Sequence, residues 1–307
     1  MVLGFGLPSQ EEIDKVFPVK DIDWDKLRTP SKDGIQSTWL GHASVFCQMP
    51  TVDGQFRNIL TDPLFSERCS AIQFAGPKRF RPPPCTINDF YKNGVPIDIV
   101  LISHNHYDHL DFNSVVKLNE CSIKAGKPIE FIVPLGLKKW FQKYVPTAEK
   151  VTELDWHGKF CLDDVTVTAL PMQHWSSRYG YDKDKTLWCG FQVKTKSKNL
   201  LFCGDTGYFK EATEIGKHYG PFDFALIPIG AYEPRWFMIN QHCNPADAIK
   251  LMDDFRSEKA FGIHWGTFQL TIEEYLEPQK DLEAGLKEKG KDPSSFVTTL
   301  IGETMTV

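Results

Sequence analysis

Residues 103–111 read SHNHYDHLD, which places three of the chain's nine histidines and two aspartates within nine positions. The cluster directly follows PIDIVLIS, an apolar, β-branched run of strand length. Such a run belongs inside a sheet, so the cluster lies where a rigid scaffold meets a loop. His104 and His106 are two apart, and an extended backbone points both rings the same way. Asp108 and His109 are adjacent and diverge unless the chain turns into a helix. That geometry suits two metal ions better than one. Four ligands from one loop cannot complete two sites, so further ligands must come from other strand ends.

The chain repeats the context three times. VTVTALPMQHW closes a predicted strand at His174. NLLFCGDTG closes one at Asp205, where Gly204 and Gly207 allow close backbone approach. KAFGIHWG closes one at His264. Each is a polar residue just past an apolar run, and the recurrence says more than any one of them alone.

The remaining pattern supplies a frame. QSTWLGHASVFCQM reads as a strand pair or a strand with a turn, and RNILTDP as a short strand. IEFIVP, VTELDW, LWCGFQVKT and FDFALIPIG are further strands. Helices are predicted for FNSVVKLNE behind an Asp111 cap, for LGLKKWFQKYV, for ADAIKLMDDF behind Asn244–Pro245, and for TIEEYLEPQKDLEAGLKEKG. Strands outnumber helices and alternate with them, which predicts sheets packed together with helices outside. Residues 1–30 read as an N-terminal arm and 31–307 as a single domain.

Composition narrows the function classes. With 41% hydrophobic and 24% charged residues, the chain suits a globular domain, and its net charge of −5 suggests no nucleic-acid partner. No apolar run reaches the ~18–20 residues of a membrane span. The first residues, MVLGFGLPSQEEID, lack the basic start of a signal peptide, and Met-Val does not indicate myristoylation. The eight cysteines form no CxxC pair and read as reduced thiols in a cytoplasmic setting.

H-x-H-x-D-H followed by His, Asp and His, each at a strand end, resembles the metallo-β-lactamase fold superfamily of binuclear metal hydrolases. GPKRFRPPPC, SHNHYDHLD, FIVPLGL, CGDTGY, PIGAYEPRWFM and IHWGTF further resemble its phospholipase D branch, which hydrolyses N-acyl-phosphatidylethanolamine. The resemblance implies an α/β fold, a four-layer αββα sandwich. It implies that His104, His106 and His174 hold one zinc ion and Asp108, His109 and His264 the other, with Asp205 bridging. Imidazole and carboxylate without thiolate suit Zn2+, and iron or manganese also fits. In the implied reaction, water activated by the ion pair attacks phosphorus, releasing an N-acylethanolamine and leaving phosphatidic acid. Asp108 and Asp205 are the catalytic candidates, Asp108 as a proton acceptor. Enzymes supply roughly 20 kcal/mol against so slow a hydrolysis, which demands a strong charge-based device.

Gln241 and His242 are candidates for phosphate contact, Tyr107 for lining the pocket, and Trp140 for a lipid- or bile-acid-binding region that the family places nearby. The implied partners are a membrane phospholipid, a bile-acid-like amphiphile and a second copy in a homodimer. The implied location is cytoplasmic, peripherally on intracellular membranes. The rivals are another hydrolase on the same scaffold, such as a sugar-phosphate lactonase or a nuclease-like phosphodiesterase, and a metal-stabilised lipid-binding protein without turnover.

Other residues carry weaker expectations. His42, in WLGHAS, reads more readily as a core or turn histidine than as a support of the site. His157 and His218 should face solvent. Lys78, Arg79 and Arg81 read equally as a headgroup-binding or a solvated loop. Trp236, Phe237 and Met238 read as core packing ahead of acyl-chain contact.

Overall fold

The computed structural model describes residues 7–52 and 54–307, so the first six residues of the expected N-terminal arm lie outside the described residues. The strands are β1 (Gln36–Gly41), β2 (Ser44–Pro50), β3 (Phe56–Thr61), β4 (Ile99–Leu101), β5 (Glu130–Pro134), β6 (Val151–Leu154), β7 (Lys159–Leu162), β8 (Val165–Leu170), β9 (Gly190–Lys194), β10 (Asn199–Phe202), β11 (Phe222–Pro228), β12 (Ser257–Ile263), β13 (Phe296–Val297) and β14 (Thr304–Thr306). The helices are α1 (Gln10–Val16), α2 (Trp24–Arg28), α3 (Ile87–Lys92), α4 (Phe112–Lys124), α5 (Lys138–Tyr144), α6 (Ala212–His218), α7 (Arg235–Met238), α8 (Pro245–Asp254) and α9 (Glu277–Glu288).

The strands form two sheets of seven, ordered β14-β1-β2-β3-β4-β5-β6 and β13-β12-β11-β10-β9-β8-β7. Each has an antiparallel part and a parallel part. β1, β2 and β3 pair antiparallel, and β3 to β6 run parallel. β7 to β10 pair antiparallel, and β10 to β13 run parallel. Parallel neighbours need a crossover connection. Helices α3, α4 and α5 supply it in the first sheet, and α6, α8 and α9 in the second.

The period of two along a strand sorts the first sheet's side chains. Ile59, Ile99, Leu101 and Ile132 join the core shared with Val167, Phe191 and Leu200 of the second sheet. Their neighbours Leu60, Val100, Phe131 and Val133 face the other way and pack against Phe90, Val115, Leu118 and Phe141 of α3, α4 and α5. The layers therefore run helix, sheet, sheet, helix, the four-layer αββα sandwich of the metallo-β-lactamase type.

This topology determines where strand ends meet. β1, β3 and β4 share one direction in the first sheet, and β8, β10 and β12 share one direction in the second. The C-terminal ends of the three strands in each trio thus emerge at one edge of their sheet.

Several local expectations need correction. α9 begins at Glu277, later than the predicted start at Thr271, because Pro278 is tolerated only in a helix's first turn. β7 was not anticipated, because its half-exposed side chains give little apolar signal. Arg79 and Arg81 are buried rather than solvated. Arg81 binds the Phe17 carbonyl at 3.0 Å and pairs with Asp14, while Arg79 donates to the Leu64 carbonyl at 2.8 Å. Both pin loops, whereas Lys78 is exposed and pairs with Glu67. Trp236 and Phe237 are 81% and 57% exposed, against the expected core packing. They sit on α7, a single turn too short to present a buried face.

Candidate metal centre

All seven side chains singled out as ligands converge at the shared edge. His104, His106, Asp108 and His109 lie on the loop after β4, while His174, Asp205 and His264 follow β8, β10 and β12. Two adjoining donor sets result, each within 4.8 Å: His104, His106, His174 and Asp205, and Asp108, His109 and His264 with His42 added. Asp205 reaches into the second set as well. Its Oδ2 lies 3.0 Å from His109 Nε2, 3.8 Å from His104 Nε2 and 3.7 Å from His174 Nε2. Its Oδ1 lies 3.2 Å from His264 Nε2.

Hydrogen bonds outside the cluster assign the protons. His109 Nδ1 donates to Asp62 Oδ2 at 2.6 Å, and His174 Nδ1 donates to the Gln241 carbonyl at 2.9 Å. The Ser103 hydroxyl donates to Asp62 at 2.6 Å and therefore accepts from His104 Nδ1 at 2.9 Å. Three imidazoles thus turn Nδ1–H away from the centre and Nε2 toward it. His106 Nδ1 faces two of them, at 2.8 Å from His104 Nε2 and 3.3 Å from His174 Nε2, and has at most one proton to share. The buried atoms His106 Nε2, His109 Nε2, Asp205 Oδ1, His242 Nδ1 and both His264 ring nitrogens have no hydrogen-bond partner among the described residues. Each such orphan costs about 1–3 kcal/mol.

Charge points the same way. Burial pushes the Asp205 carboxyl up, but His109, His264 and His242 outweigh it and hold the group well below its usual range. Burial, with the imidazoles of His109, His106 and His174, holds His104 far below its ordinary value, and hence neutral. Burial also lowers His109, but Asp205, Asp108 and Asp62 overcome this and raise it well above 6.5. Buried imidazole nitrogens gathered around clustered carboxylates fit a divalent metal site. The nitrogen and oxygen donors suit a borderline metal.

A family profile described as a beta-lactamase superfamily domain matches residues 57–265. The N-acyl-phosphatidylethanolamine-hydrolyzing phospholipase D 1 of Caenorhabditis elegans is 40% identical over 309 aligned positions, covering 97% of this chain and 82% of its own length. The chain belongs to this phospholipase D family of the beta-lactamase superfamily. The mitochondrial family member of Saccharomyces cerevisiae is 36% identical over 82% of this chain, and the match spans 52% of the yeast protein. Among solved structures, the metallo hydrolase Igni18 of Ignicoccus hospitalis superposes with a TM-score of 0.61 at 20% identity, covering 89% of this chain and 98% of that one. At that identity it supports the fold alone. As a member of this phospholipase D family, the protein is a metal-dependent hydrolase of the phosphodiesterase type.

The other expected contacts surround the family's metal centre. His242 is buried, with Nδ1 4.0 Å from Asp205 Oδ2. Gln241 accepts from Trp175 Nε1 at 2.7 Å, and the Trp175 ring lies 4.4 Å from that of His106. Tyr107 and Trp140 line a neighbouring cavity of about 410 Å³. Trp140 also belongs to the core beneath it. The Arg178 guanidinium stands over the Tyr107 ring at 4.1 Å and the Trp140 ring at 5.5 Å.

The sequence reading missed Asp62, Ser103, Trp175 and Arg178, while His42 is a buried turn histidine, as expected, and also reaches Asp108 Oδ2 at 3.0 Å. Asp62 carried a findable signal, since RNILTDP is one more apolar run ending in a polar residue. His157 and His218 are exposed, as expected. Strain also gathers at the centre. His42, Asp62 and His264 are three of the eight non-glycine residues with positive φ among those described. Such conformations cost about 1–3 kcal/mol each and persist where surrounding structure enforces them.

Proposed function

We propose that the protein is a zinc-dependent phospholipase D that cleaves the distal phosphodiester bond of N-acyl-phosphatidylethanolamine to N-acylethanolamine and phosphatidic acid. One observation carries this reading: two adjoining donor sets, with the Nδ1 protons of His104, His109 and His174 turned outward, share the Asp205 carboxylate. His104, His106 and His174 would hold one cation, Asp108, His109 and His264 the other, and Asp205 both. Two bound divalent cations supply Lewis acidity toward a phosphodiester and shift the pKa of water toward ~7.

The chain's own residues do the rest. Ser103, Asp62 and the Gln241 carbonyl fix the ligand tautomers before substrate arrives. Burial pushes the Asp108 carboxyl up, but His109, His264 and His42 outweigh it and hold the group well below its usual range, so it serves at the rim as an ionised acceptor of hydrogen bonds. His242, with an unengaged Nδ1, is positioned to donate to a phosphoryl or leaving-group oxygen. The cavity at Tyr107 and Trp140 is large enough for part of a lipid or a bile-acid-like amphiphile.

The remaining lipid stays in its bilayer, so the enzyme works at the surface of intracellular membranes. Among the described residues, no helix is long and apolar enough to cross a membrane. Trp236, Phe237 and Ile239, exposed just before Gln241–His242, offer apolar side chains for peripheral contact. Family resemblance further suggests a homodimer.

Metal analysis combined with product identification on N-acyl-phosphatidylethanolamine vesicles in H2 18O tests this reading. It expects about two zinc ions per chain, equimolar N-acylethanolamine and phosphatidic acid, and label in the phosphatidic acid. Full metal occupancy without lipid turnover, or label in the ethanolamine product, would count against it.

A further inference from the structure

His42 opens the two-residue turn of the β1–β2 hairpin, where Gly41 pairs with Ser44. Its φ is 53°, a conformation that hairpin turns usually assign to glycine or asparagine. Making the turn does not call for an imidazole, yet the fold grips this one from several sides. Its N–H donates to Thr267 Oγ1 at 2.7 Å. Its carbonyl accepts from Trp39 Nε1 at 2.9 Å and from His264 N at 3.1 Å. Its ring lies 4.1 Å from the His264 ring and meets Phe268 edge-on at 5.4 Å. The residue is buried.

The far end of the ring decides its role. Nε2 lies 3.0 Å from Asp108 Oδ2. An ionised carboxylate only accepts, so Nε2 carries the proton and donates it. A nitrogen committed in this way has no lone pair for a cation. His42 thus differs from His104, His109 and His174, whose protons sit on Nδ1 and point away from the centre. The same Asp108 oxygen lies 3.4 Å from both His109 Nε2 and His264 Nε2. A donor anchored in the strained turn therefore holds that oxygen among its fellow ligands.

We propose that His42 is a positioning residue. Its Nε2–H holds the Asp108 carboxylate toward His109 and His264 and so sets the affinity of the second cation without ligating it. The inference rests on the two-cation reading above. The backbone bond from His264 to His42 ties the end of β12 to the end of β1, so the device spans both sheets.

The test is stepwise Co2+ and Zn2+ titration of intact wild-type protein and variants, read by bound-ion content and the visible Co2+ spectrum. H42F fills the ring volume without a donor. H42N suits the positive φ but is too short to reach Asp108, so it serves if H42F does not fold. H42Q keeps an amide donor near the position of Nε2. The donor-less variants should bind the first ion as wild type does and the second about 10–100-fold more weakly, with an altered second-ion spectrum. H42Q should recover most of that affinity. Wild-type affinity and spectrum in the donor-less variants overturn the proposal, as does a loss in H42Q equal to theirs. Wild-type protein that takes up fewer than two ions overturns the two-cation reading instead, and the same titration shows this before any variant is compared.

Discussion

The Asp62 carboxylate accepts three hydrogen bonds at once, from His109 Nδ1 at 2.6 Å, Ser103 Oγ at 2.6 Å and Ser103 N at 2.7 Å. It is fully buried and sits outside the two principal donor sets, yet it fixes two ligand tautomers. In Asp62→Asn, an amide N–H must face one of those donors. Metal affinity should fall about 10–100-fold, measured by competition with a chelating indicator, while the fold persists. Unchanged affinity would remove Asp62 from this role. Gly204 answers to a different constraint. Its φ is 61°, and an added Cβ would lie 2.5 Å from the Ser103 Cβ. Gly204→Ala should cost about 1–3 kcal/mol in denaturant unfolding and should weaken metal binding as Ser103 is displaced.

Among the elements, α7 combines exposure with position. A buried pair such as Trp236 and Phe237 would lose several kcal/mol on truncation. Exposed as they are, replacing both with serine should change stability by no more than about 0.5 kcal/mol. Co-sedimentation with phospholipid vesicles should nevertheless fall, and turnover on vesicles should fall more than turnover on a short-chain soluble phosphodiester. Equal loss on both substrates would place α7 in the catalytic site rather than on the membrane. The β1–β2 hairpin shows the opposite economy: an element whose local geometry is unfavourable at His42 is kept because its end faces Asp108.

For the whole molecule, the metal centre is also a joint. Its donor side chains come from strand ends of both sheets, so on the two-cation reading buried carboxylates at the seam would lose their compensation on removal of the metal. Chelation should lower the melting temperature, and zinc should restore it in a concentration-dependent way, as ligand binding to the folded state requires. A melting temperature indifferent to chelator would mean that the seam is held by packing alone. Much of this design was legible in the chain. Apolar runs of strand length, each closing on His, Asp or a cluster of both, marked the strand ends that supply the donors, because burial in a sheet is local to each run. Caps at Asp111 and Asn244 marked α4 and α8, because capping needs only a few neighbouring residues. The burial of Arg79 and Arg81 and the exposure of Trp236 were not legible, since each depends on what packs against the residue, whereas Pro278 by itself marks the late start of α9. The hydrogen-bond partners of His42 and Asp62 were likewise not legible, though RNILTDP marks Asp62 itself as a polar strand end. Sequence specified which side chains carry lone pairs and charge. Only the shared directions of β1, β3 and β4 in one sheet and β8, β10 and β12 in the other brought them to one edge, and only the hydrogen bonds there turned the protons of His104, His109 and His174 outward and that of His42 toward Asp108.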